Sequence, residues 1–200
     1  MLRRPFLIAL ASLAMSTLAV TLPAAAANPQ VEFDTTAGKI RVELFPDAAP
    51  KTVANFLDYV KAKHYDGTQF HRVIPNFMVQ GGGYTPDFQQ KPTKAPVAIE
   101  SEQSSKAGLL NVPGTLAMAR TGDPNSATAQ FFINVNDNKF LNFRSADPQG
   151  YGYTVFGKVV AGMDVVDKIA KAPTGAGGPF PKDVPAEKVI ITKAFVVEAK

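Results

Sequence analysis

One arginine and one glutamine stand among large apolar side chains in residues 70–82, which read Phe-His-Arg-Val-Ile-Pro-Asn-Phe-Met-Val-Gln-Gly-Gly. A guanidinium carries five donors and a permanent charge, so burying it without acceptors is costly. Between Asp66 and Asp87 the chain has no Asp or Glu to pair with Arg72. These residue types leave two interpretations open. Arg72 could donate to a bound ligand, or it could reach solvent or pair with a more distant carboxylate.

The register of this segment decides whether Arg72 and Gln80 can act together. Successive side chains of a strand point to opposite faces of the sheet. If residues 75–77 form a three-residue loop, Ile74 pairs with Met78 and Arg72 pairs with Gln80, all on one face. A two-residue loop sends Arg72 and Gln80 to opposite faces. We predict the three-residue loop.

The elements around this segment are mostly short strands. Alternating apolar residues predict a hairpin over residues 31–44. Pro50, followed by apolar residues at helical spacing, predicts an amphipathic helix that ends near residues 64–67, and a second helix is predicted over 163–171. The Pro/Gly-rich stretch 172–185 predicts a surface loop. Further strands are predicted over 69–74, 78–81, 97–100, 115–119, 130–135, 154–160 and 189–197.

Many strands with few helices favour a mainly β fold, a closed antiparallel eight-stranded β-barrel with two capping α-helices. Closure would remove the exposed sheet edges that invite aggregation. A small-ligand barrel of the lipocalin type would need an open interior, whereas bulky residues on both faces of several strands predict a filled one.

The first 27 residues have the pattern of a secretory signal peptide. Arg3 and Arg4 precede an apolar run that ends in Pro23 and a series of alanines. We expect cleavage near Ala27, one domain over residues 28–200 and a periplasmic location, with no stable membrane insertion after cleavage. The chain has no Cys, so no disulfide stabilises it. A monomer is our default expectation, and no Lys/Arg cluster suggests nucleic-acid binding.

Other chemistries find little support in the sequence. His64 and His71 are the only histidines, and Gly-x-Ser-x-Gly is missing, which argues against a Ser-His-Asp hydrolase. No pair of His or Cys has metal-ligand spacing, and no Gly-Lys-Ser/Thr follows Gly81-Gly82-Gly83 to form a phosphate loop. We therefore expect no metal and no cofactor. We interpret His71 as a hydrogen-bonded core histidine, because it alternates away from Arg72.

Four segments together resemble the cyclophilins, and most of all the periplasmic cyclophilins of Gram-negative bacteria. They are residues 70–82, 114–120 (Gly-Thr-Leu-Ala-Met-Ala-Arg), 130–134 (Gln-Phe-Phe-Ile-Asn) and 155–159 (Val-Phe-Gly-Lys-Val). Their order and spacing match over nearly the whole chain after the N-terminal segment. The resemblance implies a peptidyl-prolyl cis-trans isomerase acting on proline-containing, unfolded or partly folded polypeptides. A proline-peptide-binding chaperone with dispensable catalysis is the alternative that shares the same groove.

The resemblance also assigns roles to individual positions. Arg72 matches the family's catalytic arginine, with Gln80 and Gln130 as the polar groups beside it. The backbone at Ala119 and Arg120 matches the segment that pairs with the substrate chain. The proline pocket falls on Phe77, Met78, Phe132 and Leu141.

Three positions depart from the pattern of the eukaryotic members. Phe140 stands where those proteins carry a tryptophan, Tyr153 where they carry a histidine, and Arg120 where they carry an asparagine. We expect Phe140 to weaken cyclosporin binding, since an indole N–H donor is missing and the ring is smaller. We expect the change at Arg120 to matter less if this position acts mainly through its backbone.

Overall fold

The computed structural model describes residues 27–198. The predicted signal peptide lies outside the described residues, apart from Ala27. The described chain is mainly β, with a nine-stranded antiparallel sheet, a separate two-stranded sheet and three α-helices. Among these helices, none combines the length and the apolar character that a membrane crossing requires.

The elements follow the chain in a simple order. They are β1 (Gln30–Thr35), β2 (Gly38–Leu44), α1 (Pro50–Lys61), β3 (Thr68–Gln69), β4 (Arg72–Ile74), β5 (Met78–Gly81), α2 (Ser101–Lys106), β6 (Thr115–Met118), β7 (Phe131–Asn134), a 3₁₀ turn at Lys139–Leu141, β8 (Val155–Ala161), α3 (Met163–Ala170), β9 (Thr174–Gly177), β10 (Phe180–Pro185) and β11 (Ile190–Val197). The large sheet has the strand order β3-β11-β1-β2-β8-β6-β7-β5-β4, and β9 pairs with β10.

The sheet differs from the predicted closed eight-stranded barrel at its two edges. Within residues 27–198 no strand ladder joins β3 to β4, which are the outermost strands. These two strands come from one chain segment that we predicted as a single strand over 69–74. The segment breaks at Phe70 and His71, and the backbone N–H of Phe70 donates to the carbonyl of Val189 instead. The edges are therefore connected by the covalent chain rather than by sheet hydrogen bonds.

Two other predictions are wrong and one helix was missed. The helix predicted from Pro50 is confirmed but ends at Lys61 instead of near residues 64–67, and the helix at Met163–Ala170 is confirmed. The stretch 172–185 is a β-hairpin rather than a loop. The predicted strand at 97–100 makes only an isolated bridge from Val97, and the carboxylate of Glu100 instead accepts hydrogen bonds from the first turn of α1. Helix α2 was missed because six residues are too few to display a helical period.

Strand alternation sorts the apolar residues of β5, β6 and β7 into two separate clusters. One face of these strands joins the main core, which is filled with aromatic rings such as Phe33 and Phe131, stacked 5.3 Å apart. The other face carries a smaller apolar cluster. Both faces are apolar because one fills the interior and the other builds a surface site. The second cluster consists of Met78, Ala117, Phe132, Leu141 and Val155.

The three-residue loop at residues 75–77 is confirmed. Arg72 pairs with Gln80 and Ile74 pairs with Met78 across β4 and β5. Asn76 occupies the left-handed region with φ of 57°, which asparagine tolerates better than most residues. This loop chemistry places the arginine and the glutamine on one face.

A network of buried asparagines lies under the end of the same sheet. The Nδ2 group of Asn138 donates to the carbonyl of Phe77 at 2.8 Å and to Oδ1 of Asn134 at 2.7 Å. Nδ2 of Asn134 in turn donates to Oδ1 of Asn111, and Nδ2 of Asn111 donates to the carbonyl of Leu141. The amides thus connect the loop that carries Phe77 to the 3₁₀ turn that carries Leu141.

Replacing Asn138 with alanine should lower the free energy of unfolding by about 1 to 3 kcal/mol, because it removes the donor to Oδ1 of buried Asn134. The matched control is Asn136→Ala, since Asn136 donates to the carbonyl of Asn76 from an exposed position. That change should stay within about 0.5 kcal/mol. Urea unfolding followed by circular dichroism measures both, and equal losses in the two variants would contradict the role of the network.

Candidate active site

A row of cross-strand neighbours forms the floor of the candidate site. Arg72 on β4 pairs with Gln80 on β5, Gln80 pairs with Phe132 on β7, and Phe132 pairs with Ala117 on β6. Directly opposed residues in an antiparallel sheet share one face, with Cβ atoms about 5 Å apart. Four short strands therefore bring one cation, one amide and one aromatic ring together.

A cavity of about 560 Å³ opens above this row. All of the site residues predicted from the sequence line it except Phe140. Phe140 is 64% exposed and stacks against Phe77 from outside, with ring centroids 5.6 Å apart. The predicted residues that line the cavity are Arg72, Phe77, Met78, Gln80, Ala119, Arg120, Gln130, Phe132, Leu141 and Tyr153.

A chain of hydrogen bonds orients the Arg72 side chain. Its Nη1 donates to Oε1 of Gln80 at 3.3 Å, and Nε2 of Gln80 donates to Oε1 of Gln130 at 3.0 Å. No carboxylate among the described residues forms an ion pair with Arg72. The guanidinium is thus half-buried, held by a neutral amide, and keeps donors that a bound molecule can use.

The apolar wall beside Arg72 comes from two strands, a loop and a 3₁₀ turn. Met78 and Phe132 lie on adjacent strands, while Phe77 extends from the 75–77 loop and Leu141 from the 3₁₀ turn. The asparagine network holds the carbonyls of Phe77 and Leu141. The apolar wall is therefore supported from below by the asparagine network.

Arg120 occupies the rim of the cavity next to Tyr153. Its guanidinium carbon lies 4.7 Å from the centre of the Tyr153 ring, within the range of a cation–π contact. Its Nε donates to the carbonyl of Gly152 at 2.9 Å. The side chain of Arg120 thus lines the cavity, in addition to the backbone groups to which the resemblance assigns a role.

His71 is buried, as predicted, but it lines the cavity instead of joining the main core, and the prediction that it is hydrogen-bonded needs correction at one atom. Its Nδ1 is buried and has no hydrogen-bond partner among the described residues. The ring packs against Tyr84 and Phe180, with centroids 4.7 Å and 5.4 Å away. Burial lowers the pKa of His71 to about 4, and the charge of Arg72 acts in the same direction, while the backbone of Gln69 opposes them.

The structure adds cavity residues that the sequence did not indicate. The most distant of them is Phe180, on the hairpin that we predicted as a loop, about a hundred residues after Arg72. Only packing reveals this neighbour, because a single phenylalanine in a Pro/Gly-rich stretch carries no periodic signal. The added lining residues are His71, Tyr84, Gln90, Thr93, Thr121, Ser126, Thr128 and Phe180.

The arrangement suits a ligand with a small apolar group beside a hydrogen-bond acceptor. The pocket can take the apolar group, and Arg72 can donate to the acceptor from a fixed direction. Across residues 27–198 no cluster of three or more His, Asp or Glu side chains has the arrangement of a metal site.

Comparison with known proteins agrees with this geometry. The family model for "Cyclophilin type peptidyl-prolyl cis-trans isomerase/CLD" matches residues 30–196. The peptidyl-prolyl cis-trans isomerase cyp18 of Streptomyces antibioticus is 56% identical over 167 residues, covering 84% of this chain and 98% of its own. Peptidyl-prolyl cis-trans isomerase B of Escherichia coli is 55% identical over 168 residues, covering 84% of this chain and 99% of its own.

A solved structure shows the same fold. The crystal structure of a cyclophilin type peptidyl-prolyl cis-trans isomerase from Cryptosporidium parvum, determined in the presence of the dipeptide Ala-Pro, superimposes with a TM-score of 0.69 at 26% identity. The match covers 85% of this chain and 99% of that one. The chain belongs to the cyclophilin family of peptidyl-prolyl cis-trans isomerases.

Proposed function

We propose that this isomerase accelerates rotation about X-Pro bonds by donating a hydrogen bond from Arg72 to the prolyl nitrogen while the proline ring sits in the apolar pocket. One observation carries the proposal. Arg72 lies beside Met78 and Phe132 with no carboxylate partner in the described chain, and Gln80 holds it in place. Both the cation and the pocket face the same cavity.

The physical chemistry of the reaction requires these two features and no bond cleavage. Amide resonance gives X-Pro rotation a barrier of roughly 18 to 20 kcal/mol. At the twisted transition state the nitrogen regains its lone pair and the amide loses much of its charge separation. A donor aimed at the nitrogen stabilises that state, and a dry pocket disfavours the more polar planar amide.

The required reduction of the activation barrier is compatible with one hydrogen-bond donor and an apolar pocket. Turnover near 10³ s⁻¹ needs a barrier of about 13 kcal/mol, which is about 6 kcal/mol lower than the uncatalysed one. One preorganised donor contributes about 2.7 to 4 kcal/mol in oxyanion holes. Apolar contacts and anchoring of the substrate backbone at Ala119 and Arg120 supply the remainder in this proposal.

A peptide-binding chaperone with dispensable catalysis is the second candidate, since it would use the same cavity. The hydrogen-bonded chain from Arg72 through Gln80 to Gln130 favours the enzyme, because binding a proline ring does not need an oriented cation. The discriminating observation is whether peptide binding and isomerisation fall together when Arg72 is removed.

The proposed substrates are proline-containing segments of unfolded or partly folded exported polypeptides, bound by a monomer. The N-terminal pattern of residues 1–27 supports export to the periplasm. Cell fractionation of the full-length protein tests the location. Recovery in the cytoplasm at its full precursor mass would contradict export.

Replacing Arg72 with alanine should lower kcat/KM for a proline tetrapeptide by about 100-fold or more, because it removes the donor to the prolyl nitrogen. The fold should persist, since Arg72 is half-buried and lies at a sheet edge. Magnetisation-exchange NMR measures the rate without a coupled protease, and circular dichroism checks the fold.

The matched control is Arg144→Ala. Arg144 is exposed and lies outside the cavity lining, and among the described residues its side chain donates only to the carbonyl of Gln149. This variant should keep wild-type activity. Near wild-type turnover in Arg72→Ala would show that the assigned role is wrong, and a wild-type protein that binds the peptide without accelerating it would favour the chaperone.

The isomerase rate should be nearly constant between about pH 6 and 8. Guanidinium groups stay protonated in proteins. The pKa of His71, beside Arg72, is lowered to about 4. This histidine is therefore neutral throughout the range from about pH 6 to 8. Values of kcat/KM in a series of buffers test this prediction, and a bell-shaped profile within the range would count against the mechanism.

A further inference from the structure

The cavity carries positive charge that the protein does not neutralise. Arg72 and Arg120 both line it, and no Asp or Glu is among its described lining residues. Neither guanidinium forms an ion pair within residues 27–198, whereas Arg41 on β2 pairs with Glu32. A chain entering the cavity therefore meets two unpaired cations.

Arg120 is held in one orientation although its side chain is partly exposed. Its Nε donates to the carbonyl of Gly152 and its Nη1 donates to the carbonyl of Thr121, both at 2.9 Å. The guanidinium lies over the ring of Tyr153. Within the described part of the chain, no hydrogen bond engages Nη2. A planar cation fixed in this way loses little conformational freedom when it binds an anion.

Arg120 and Arg72 occupy different parts of the cavity. Tyr153 packs edge-to-face against Phe132 in the pocket, with centroids 5.6 Å apart, so Arg120 is separated from the proline pocket by one aromatic ring. In the mechanism proposed above, Arg72 donates to the prolyl nitrogen of every substrate. Arg120 lines the same cavity but lies on the far side of the Tyr153 ring from Phe132.

We infer that Arg120 is a specificity-determining residue that favours substrates with an acidic side chain within two residues of the proline. This inference rests on the isomerase function proposed above. A carboxylate can take the free donors of the Arg120 guanidinium, which backbone carbonyls and a ring already hold, while a lysine would be repelled by the same cation. The interaction lies at a solvated rim, so it changes the relative rates of peptides modestly.

The substrates for the test are acetylated and amidated peptides with one proline and one variable residue, Glu, Gln or Lys. The variable residue is placed two before, one before or one after the proline. For the wild-type protein, kcat/KM at one or more of these positions should be about fivefold higher for Glu than for Gln, and lower again for Lys. Raising the salt concentration from about 0.02 M to about 0.5 M should shrink the differences, since screening shortens the range of the field.

The variants are compared by the ratio of kcat/KM for the Glu peptide to kcat/KM for the Lys peptide, so that any general loss of activity cancels. In Arg120→Gln the ratio should fall to within about twofold of unity. In Arg120→Lys it should stay above that of Arg120→Gln, because the charge remains although the planar contact with Tyr153 is lost. The control Arg144→Gln should keep the wild-type ratio, since Arg144 lies outside the cavity lining.

Two results would overturn the inference while leaving the proposed function intact. One is a wild-type ratio within about twofold of unity at all three positions, and the other is a wild-type ratio that survives in Arg120→Gln. Failure of the wild-type protein to accelerate even the Gln peptides would overturn the proposed function and this inference together.

Discussion

The pairing of Arg72 with Gln80 across the β4–β5 hairpin is the constraint on which the site depends. Because the side-chain period of a strand is two, a shift of one residue in this hairpin would turn Arg72 away from Gln80 and from Phe132. The loop at residues 75–77 prevents such a shift, with Asn76 in the left-handed region that its length requires. A local backbone preference thus sets the position of a charged group relative to an apolar pocket.

The sheet around this hairpin serves two purposes, one on each face. On the inner face Val79, Phe131 and Ile133 pack into the aromatic core. On the other face Met78 and Phe132 form the pocket wall. Burial of the inner face stabilises the strands, and that stability allows the other face to hold apolar groups open to a ligand. Beneath the site, the buried asparagines hold the pocket's loops through backbone carbonyls, which keeps these supports independent of the pocket side chains.

The cavity is electrostatically one-sided. Arg72 is oriented by neutral amides and Arg120 by carbonyls and an aromatic ring, and neither forms an ion pair within the described residues. A carboxylate partner would have fixed either residue more tightly, but it would also have competed with a bound peptide for the donors. The neutral partners of Arg72 and Arg120 orient the guanidinium groups and leave N–H donors free for a bound peptide.

Local pattern alone determined much of this protein. Alternation and turn chemistry predicted the hairpin register, and periodicity predicted the helices Pro50–Lys61 and Met163–Ala170. The family motifs indicated the residues that line the cavity, since spacing along the chain survives in the fold. Each of these features involves neighbours close in sequence or a motif of fixed spacing.

Tertiary structure alone decided the features that depend on distant contacts. The break at Phe70 and His71 arises because the backbone of Phe70 bonds to Val189, far along the chain. Phe180 reaches the cavity only because a Pro/Gly-rich stretch folds back as a hairpin, and Phe140 lies outside it because the 3₁₀ turn points its ring toward Phe77 from the solvent side. The hydrogen bond of Arg120 to Gly152 and its cation–π contact with Tyr153 likewise join residues more than thirty positions apart. Such contacts leave no periodic trace in the sequence, since they depend on how whole elements pack.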